Sequence, residues 1–350
     1  MRYADLCCLM ALVAGSVAVS ARGGPAADVL LIPDSEGDRV WAFSAQDGSL
    51  VTDSYIIDPG VSGGVDVFNR PIEVLISSTG SLLVTDQFAN VVSEFDAFGA
   101  FVGVFSLGGV RDTQIMNNIR GGHVLTTGPG AGDVLVCNAG GTNALLVSQN
   151  NIKRLAPGDG SELADFAFNR YGGIRGPFDA IEYAGSVLVC DEGSDVIVRY
   201  TPEGKFDERF VSSFDVPQLE FPQQMAIAGN GNLLVCEFSN GIIFEFAPDG
   251  TLAGQFDPGS LNLYRGIAEL GNGNLLVTTT TGVHEVTRSG LVIETEAGGA
   301  GFRYITQFTP PARLRLASPP SVWRLPVPDE RTLDEAVRDE RGVEHEEVRP

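Results

Sequence analysis

A short apolar run ending in Asp, Asn, Glu or Thr recurs six times along the chain. It ends at Asp34 (LLIPD), Asp86 (LLVTD), Asn138 (VLVCN), Asp191 (VLVCD), Glu237 (LLVCE) and Thr279 (LLVTT). The steps between these positions are 52, 52, 53, 46 and 42 residues. A unit of this length, rich in β-branched residues and turn signals, reads as one blade of a propeller. A blade cannot bury its apolar faces alone, so the repeat demands a stack of neighbours.

The unit from Phe221 to Phe256, FPQQMAIAGNGNLLVCEFSNGIIFEFAPDGTLAGQF, divides into four strands: Pro222–Ala228, Asn232–Glu237, Gly241–Phe246 and Thr251–Phe256. Asn230-Gly231 is expected to form a type I′ hairpin turn. Pro248-Asp249-Gly250 supplies the next turn, with Pro presetting φ and Gly accepting a left-handed conformation. The closing hairpin recurs in most units. In the third, VSQNNIKRLA, the turn falls on Asn150-Asn151. No helical periodicity of useful length interrupts Asp28–Phe308.

The ends predict closure. The chain enters the repeat at DVLLIPD, a second strand with no first strand before it. It leaves at GFRYITQF (Gly301–Phe308), a first strand with no second strand after it. Together they complete one blade, which sews the ring shut and removes exposed sheet edges. The fold expected over residues 28–308 is an all-β, six-bladed β-propeller with four antiparallel strands per blade.

The unit P-x-x-x-A-I-A-x-N-G-N-L-L-V-C-E-F-S-N-G-I-I-x-F-x-x-D-G resembles an NHL repeat. More broadly it is similar to the six-bladed superfamily that includes gluconolactonase/senescence-marker proteins and virginiamycin lyase. That resemblance implies the fold but not one activity, because propellers host lactonases, lyases and binding scaffolds alike. A gluconolactonase-like protein would hold a metal through carboxylate, amide and carboxylate in the channel region. This chain lacks a counterpart of that family's opening Glu-Gly-Pro segment. Its histidines, His123, His284 and His345, are too scattered for a lyase-like site.

Residues 1–21 are expected to be a signal peptide: Arg2, an apolar run from Leu6 to Val19, and small residues before cleavage at Ala21. A membrane anchor is the alternative, but so short a run spans a bilayer badly. Residues 309–350 are Pro-rich, then alternate acid and Arg, which predicts a disordered tail. The expected location is secreted or periplasmic, with no transmembrane segment in the mature chain. A net charge of −22 excludes nucleic acid as a partner, since a phosphate backbone calls for Lys and Arg. What remains is a protein or small-molecule ligand bound by a monomer.

First strands line a propeller's channel. Two residues after the Pro that opens each one stand Glu73, about Gly122, Asp179, Gln224, Gly266 and about Tyr304. Glu73, Asp179 and Gln224 offer oxygens for Ca2+, the one cofactor this pattern points to. The two carboxylates could equally serve as general acid and base, or the lining could be polar and chemically idle. Arg70, Arg120, Arg175, Arg265 and Arg303 each open a first strand. They would either grip an anionic group at the mouth or form salt bridges to Glu73, Asp179 and the inter-blade loops. His123, beside a first strand, completes the candidate ligand-binding set. Ser-His-Asp order, phosphate loops and HExxH motifs are missing. The leading expectation is therefore a non-enzymatic scaffold, and the rival is a metal-dependent hydrolase or lyase.

Two further positions read as structural. Asp34, Asp86, Asn138, Asp191 and Glu237 would accept backbone N–H bonds at strand ends. Pro33, Thr85, Cys137, Cys190, Cys236 and Thr278 share a place that asks for a small packed side chain. The three thiols fall on successive blades, too far apart for a disulfide.

Overall fold

A computed structural model describes residues 27–142, 148–168, 173–261 and 263–311. The expected signal peptide and the tail from 312 onward lie outside the described residues. Among those residues, no helix is long and apolar enough to cross a membrane.

Six four-stranded antiparallel sheets form the blades. Their inner strands are Thr306–Phe308, Pro71–Ile76, Ile119–Val124, Pro177–Tyr183, Pro222–Ile227 and Gly266–Glu269, for blades one to six. Blade one takes its inner strand from the far end of the chain. Val29–Asp34 pairs with Thr306–Phe308 on one side and with Arg39–Ser44 on the other. The expected closure is therefore the observed one.

The alternation of side chains along each strand puts apolar residues on both faces of every sheet, so each blade packs against two neighbours. The core accordingly divides into six clusters, one for each blade-to-blade contact around the ring. Cys137, Cys190 and Cys236 are free thiols buried within these contacts. Burial pushes all three well above the ordinary thiol range.

The strand-end carboxylates cap backbone as expected, and they reach further than the next loop. Asp86 accepts the N–H groups of Phe88 and Ala89 through Oδ1, and those of Asn69 and Arg70 through Oδ2. One side chain thus fastens the loop after its own strand to the segment that opens the inner strand. Asp191 does the latter through Arg175 and Gly176, and Glu237 the former through Ser239 and Asn240.

Two turns differ from expectation. At Ala228–Asn232 only Gly231 has positive φ. Gly231 N donates to Ala228 O while Ala228 N donates to Asn232 O. This is a three-residue loop with glycine at its left-handed position rather than a two-residue type I′ turn. In blade three, Asn150 and Asn151 are not a turn but lie inside Ser148–Leu155, paired with Ala139 and Asn138. Buried amide bonding holds them there: Asn138 Nδ2 donates to Asn151 Oδ1, and Asn151 Nδ2 donates to Asp165 Oδ2. The outer turn of that blade falls at Ala156–Ser161 instead.

Candidate functional site

Most inner strands begin with their backbone out of step with their partner. Four of them carry a register shift near the start, between Pro71 and Glu73, Ile119 and Gly122, Pro177 and Asp179, and Pro222 and Met225. Such a bulge re-aims the side chain that follows it. Aligned through this register, the six equivalent positions are Tyr304, Glu73, Gly121, Asp179, Gln224 and Gly266. Blade three thus contributes Gly121, one residue earlier than the sequence spacing implied, because the bulge absorbs a residue.

This tier closes the channel. Tyr304, 1% exposed, crosses from blade one, and its hydroxyl donates to Phe178 O in blade four, directly across a six-membered ring. Gly121 makes room for it. A Cβ at Gly121 would stand 2.6 Å from Glu73 Oε2 and 2.7 Å from the Tyr304 ring. The remaining polar members bond to backbone in following blades. Glu73 Oε2 accepts from Gly122 N, and Asp179 Oδ2 accepts from Met225 N. Gln224 Oε1 accepts from Ile267 N and Ile305 N, while its Nε2 donates to Ile305 O. Inner-strand edges face the channel without a further strand to pair with, so these side chains supply their missing partners.

Beyond this floor the channel opens as a cavity of about 1010 Å3. Val74, Ala180, Met225, Ile267 and Ile305, one residue along each strand, form an apolar collar. Leu75, His123, Ile181, Ala226, Ala268 and Thr306 form the next tier, and Ile76, Ile227, Glu269 and Gln307 lie near the mouth. The mouth is on the side where first strands turn into second strands, as the lining by Gly229, Gly271 and Gly273 shows.

Electrostatics at the floor follow from burial. Glu73 is pushed well above the carboxylate range by burial and by the neighbouring Asp179. Burial pushes Asp179 up to about 8, against the bonds from Met225 and Ala180. Ionisation of the pair is therefore disfavoured relative to exposed carboxyls. Glu182 behaves in the opposite way. Burial would raise it, but bonds from His123, Thr126 and Thr127 hold it well below its usual range.

The nine predicted site residues separate into two levels. Glu73, Asp179, Gln224 and His123 line the cavity. His123 Nε2 lies 3.3 Å from Glu182 Oε2, which joins blades three and four. The five arginines stand at the opposite ends of their strands and do not line the cavity. Arg70, Arg120, Arg265 and Arg303 are buried, whereas Arg175 is exposed. Arg120 lies over Phe178 at 4.6 Å and Arg70 over Phe88 at 4.9 Å, while Arg303 Nε donates to Ser35 Oγ. Tyr304 was not among the predicted site residues. Its signal was a bulky aromatic at a position held elsewhere by Gly, Glu, Asp or Gln.

The amide oxygen of the candidate Ca2+ set, Gln224 Oε1, already accepts two backbone N–H bonds. Among the described residues, no group of three or more His, Cys, Asp or Glu side chains is placed to hold a metal ion.

No family model matches the chain, and no curated protein matches it in sequence. Solved structures do resemble it. A chain of the nidogen–laminin complex is 12% identical, with TM-score 0.61, over 80% of this chain and 98% of that one. A catalytically inactive virginiamycin B lyase from Staphylococcus aureus, crystallised with quinupristin, is 16% identical, with TM-score 0.51, over 83% and 94%. A gluconolactonase from Xanthomonas campestris is 17% identical, with TM-score 0.50, over 81% and 90%. At these identities the likeness establishes the six-bladed fold and nothing finer.

Proposed function

We propose that the chain is an extracytoplasmic, non-enzymatic binding scaffold that takes a small ligand into the channel cavity from the hairpin face. The observation that carries this reading is the Tyr304 plug, which converts a through-channel into a pocket with a floor. An apolar collar above a few fixed polar groups is the usual composition of a ligand site, and the volume suits a drug-sized molecule. The N-terminal sequence supports export. The nidogen–laminin neighbour supports a partner protein on the same kind of ring.

A hydrolase or lyase acting in the same cavity is the second reading. It is favoured by the carboxyl pair, whose raised pKa values suit general acid–base work. One variant tests the site for both. Ala268→Trp fills the second tier, so ligands that raise the melting temperature of the full chain should lose their effect. Retention of every such shift in Ala268→Trp would overturn the cavity assignment. Turnover of any ligand lost in Asp179→Asn would favour the second reading over the first.

A further inference from the structure

We infer that the cavity selects an organic cation, a primary amine carrying an apolar body, with the ammonium group seated on Glu73 and Asp179. This rests on the cavity being the binding site and adds the class of ligand. Among the described residues, four acidic side chains line the cavity, Asp28, Glu73, Asp179 and Glu269, and no lysine or arginine does. Glu269 is already paired with Arg288 at 3.1 Å, and Asp28 bonds Gln307 and Thr309, so the rim acids are occupied. The floor carboxyls differ, being held by amide groups alone.

The titratable groups facing them are Tyr304, Cys137, Cys190 and Cys236, all kept neutral by burial. His123 lies two positions along its strand and is directed to Glu182. A blind, low-dielectric pocket with acid at its base and a surplus of negative charge on the whole chain focuses a field that draws cations. The collar then buries the apolar body, and an ammonium group supplies the counter-charge that the pair otherwise obtains by holding protons. Seating the ammonium therefore expels a proton from the pair to the solvent, which makes binding pH-dependent.

The test is calorimetric titration of the full chain with cyclohexylmethylamine and phenethylamine, each against its neutral alcohol. The amine is expected to bind at least about ten-fold tighter than the alcohol. It should release a proton to the buffer, and its affinity should rise between about pH 6 and pH 8. Asp179→Asn and Glu73→Gln, which keep side-chain shape, should each bring amine and alcohol to similar affinity. Asp58→Asn, the same charge change outside the cavity, should leave the preference intact. Equal binding of amine and alcohol that is lost in Ala268→Trp overturns the cation inference and leaves the cavity reading standing. Amine binding that survives Ala268→Trp overturns both, and no binding by either amine overturns the inference.

Discussion

Gly121 shows how much of the site is decided by one missing methyl group. Its backbone φ is ordinary, so freedom of conformation is not the reason for glycine here. The reason is space, because Glu73 Oε2, the Tyr304 ring and Phe178 O all crowd the place a Cβ would take, at 2.6, 2.7 and 3.0 Å. Neither neighbour yields easily. Glu73 is tied to Gly122 N, and Tyr304 is packed with Ile72 and Phe178. Gly121→Ala should therefore cost about 1–3 kcal/mol, the usual penalty for overpacking a filled core. Urea denaturation would measure it. Shortening the plug in the same chain, as Gly121→Ala with Tyr304→Leu, should recover part of the loss. A double-mutant cycle with no coupling would mean that the two side chains do not compete for this space.

At the scale of the strand, the capping carboxylates do what the repeat implied. Asp86 is fully buried and satisfies four backbone N–H groups. Asp86→Ala leaves those donors without acceptors, and the loss should be on the order of 3 kcal/mol. Asp86→Asn should cost less, about 1 kcal/mol, since Asn138 already occupies the same place in blade three and accepts from Asn117 N. A shift in urea midpoint ordered Ala beyond Asn beyond native is the expected result, and equal shifts would contradict the capping account. These strands were legible because blades are local: each strand pairs with the next one along the chain, so apolar runs and turn residues report them. Asn150-Asn151 was not legible, because the same dipeptide makes a turn or a strand according to partners elsewhere, here Asn138 and Asp165. The bulges that selected Gly121 over Gly122 leave no mark in spacing alone. The sense in which the channel opens was hidden for a further reason. It depends on Tyr304 meeting Phe178 across the ring, a contact between segments 126 residues apart.

The whole molecule keeps several carboxyl groups in places where ionisation is penalised. Burial raises Asp86 to about 6, and Asp179 and Glu237 each to about 8, while Glu73 and Asp191 also stand above their ordinary range. A raised pKa means that the folded chain holds protons the unfolded chain has already released. Stability from these groups is complete below the ordinary carboxylate value of about 4. It is lost as pH climbs through about 6 and then about 8, where the buried forms must ionise or the fold must open. His284 opposes them, because burial lowers it to about 4 and its contribution is lost as pH falls from the ordinary imidazole value towards that point. Asp38 and Glu296 are raised as well, the latter to about 7, so among the described residues one histidine stands against seven carboxyls and the carboxyls decide the slope. Self-repulsion in a chain of net charge −22 acts in the same direction, growing as the last acids ionise. The melting temperature should therefore fall by several degrees between about pH 5 and about pH 9 at constant ionic strength. Combining Glu73→Gln with Asp179→Asn should flatten that fall, since the pair would no longer titrate. Added salt separates the two causes, because it screens surface repulsion while leaving the buried pair nearly untouched. A melting temperature that rises over the same interval would show that the floor carboxyls are ionised in the folded protein, with a cation already provided for them.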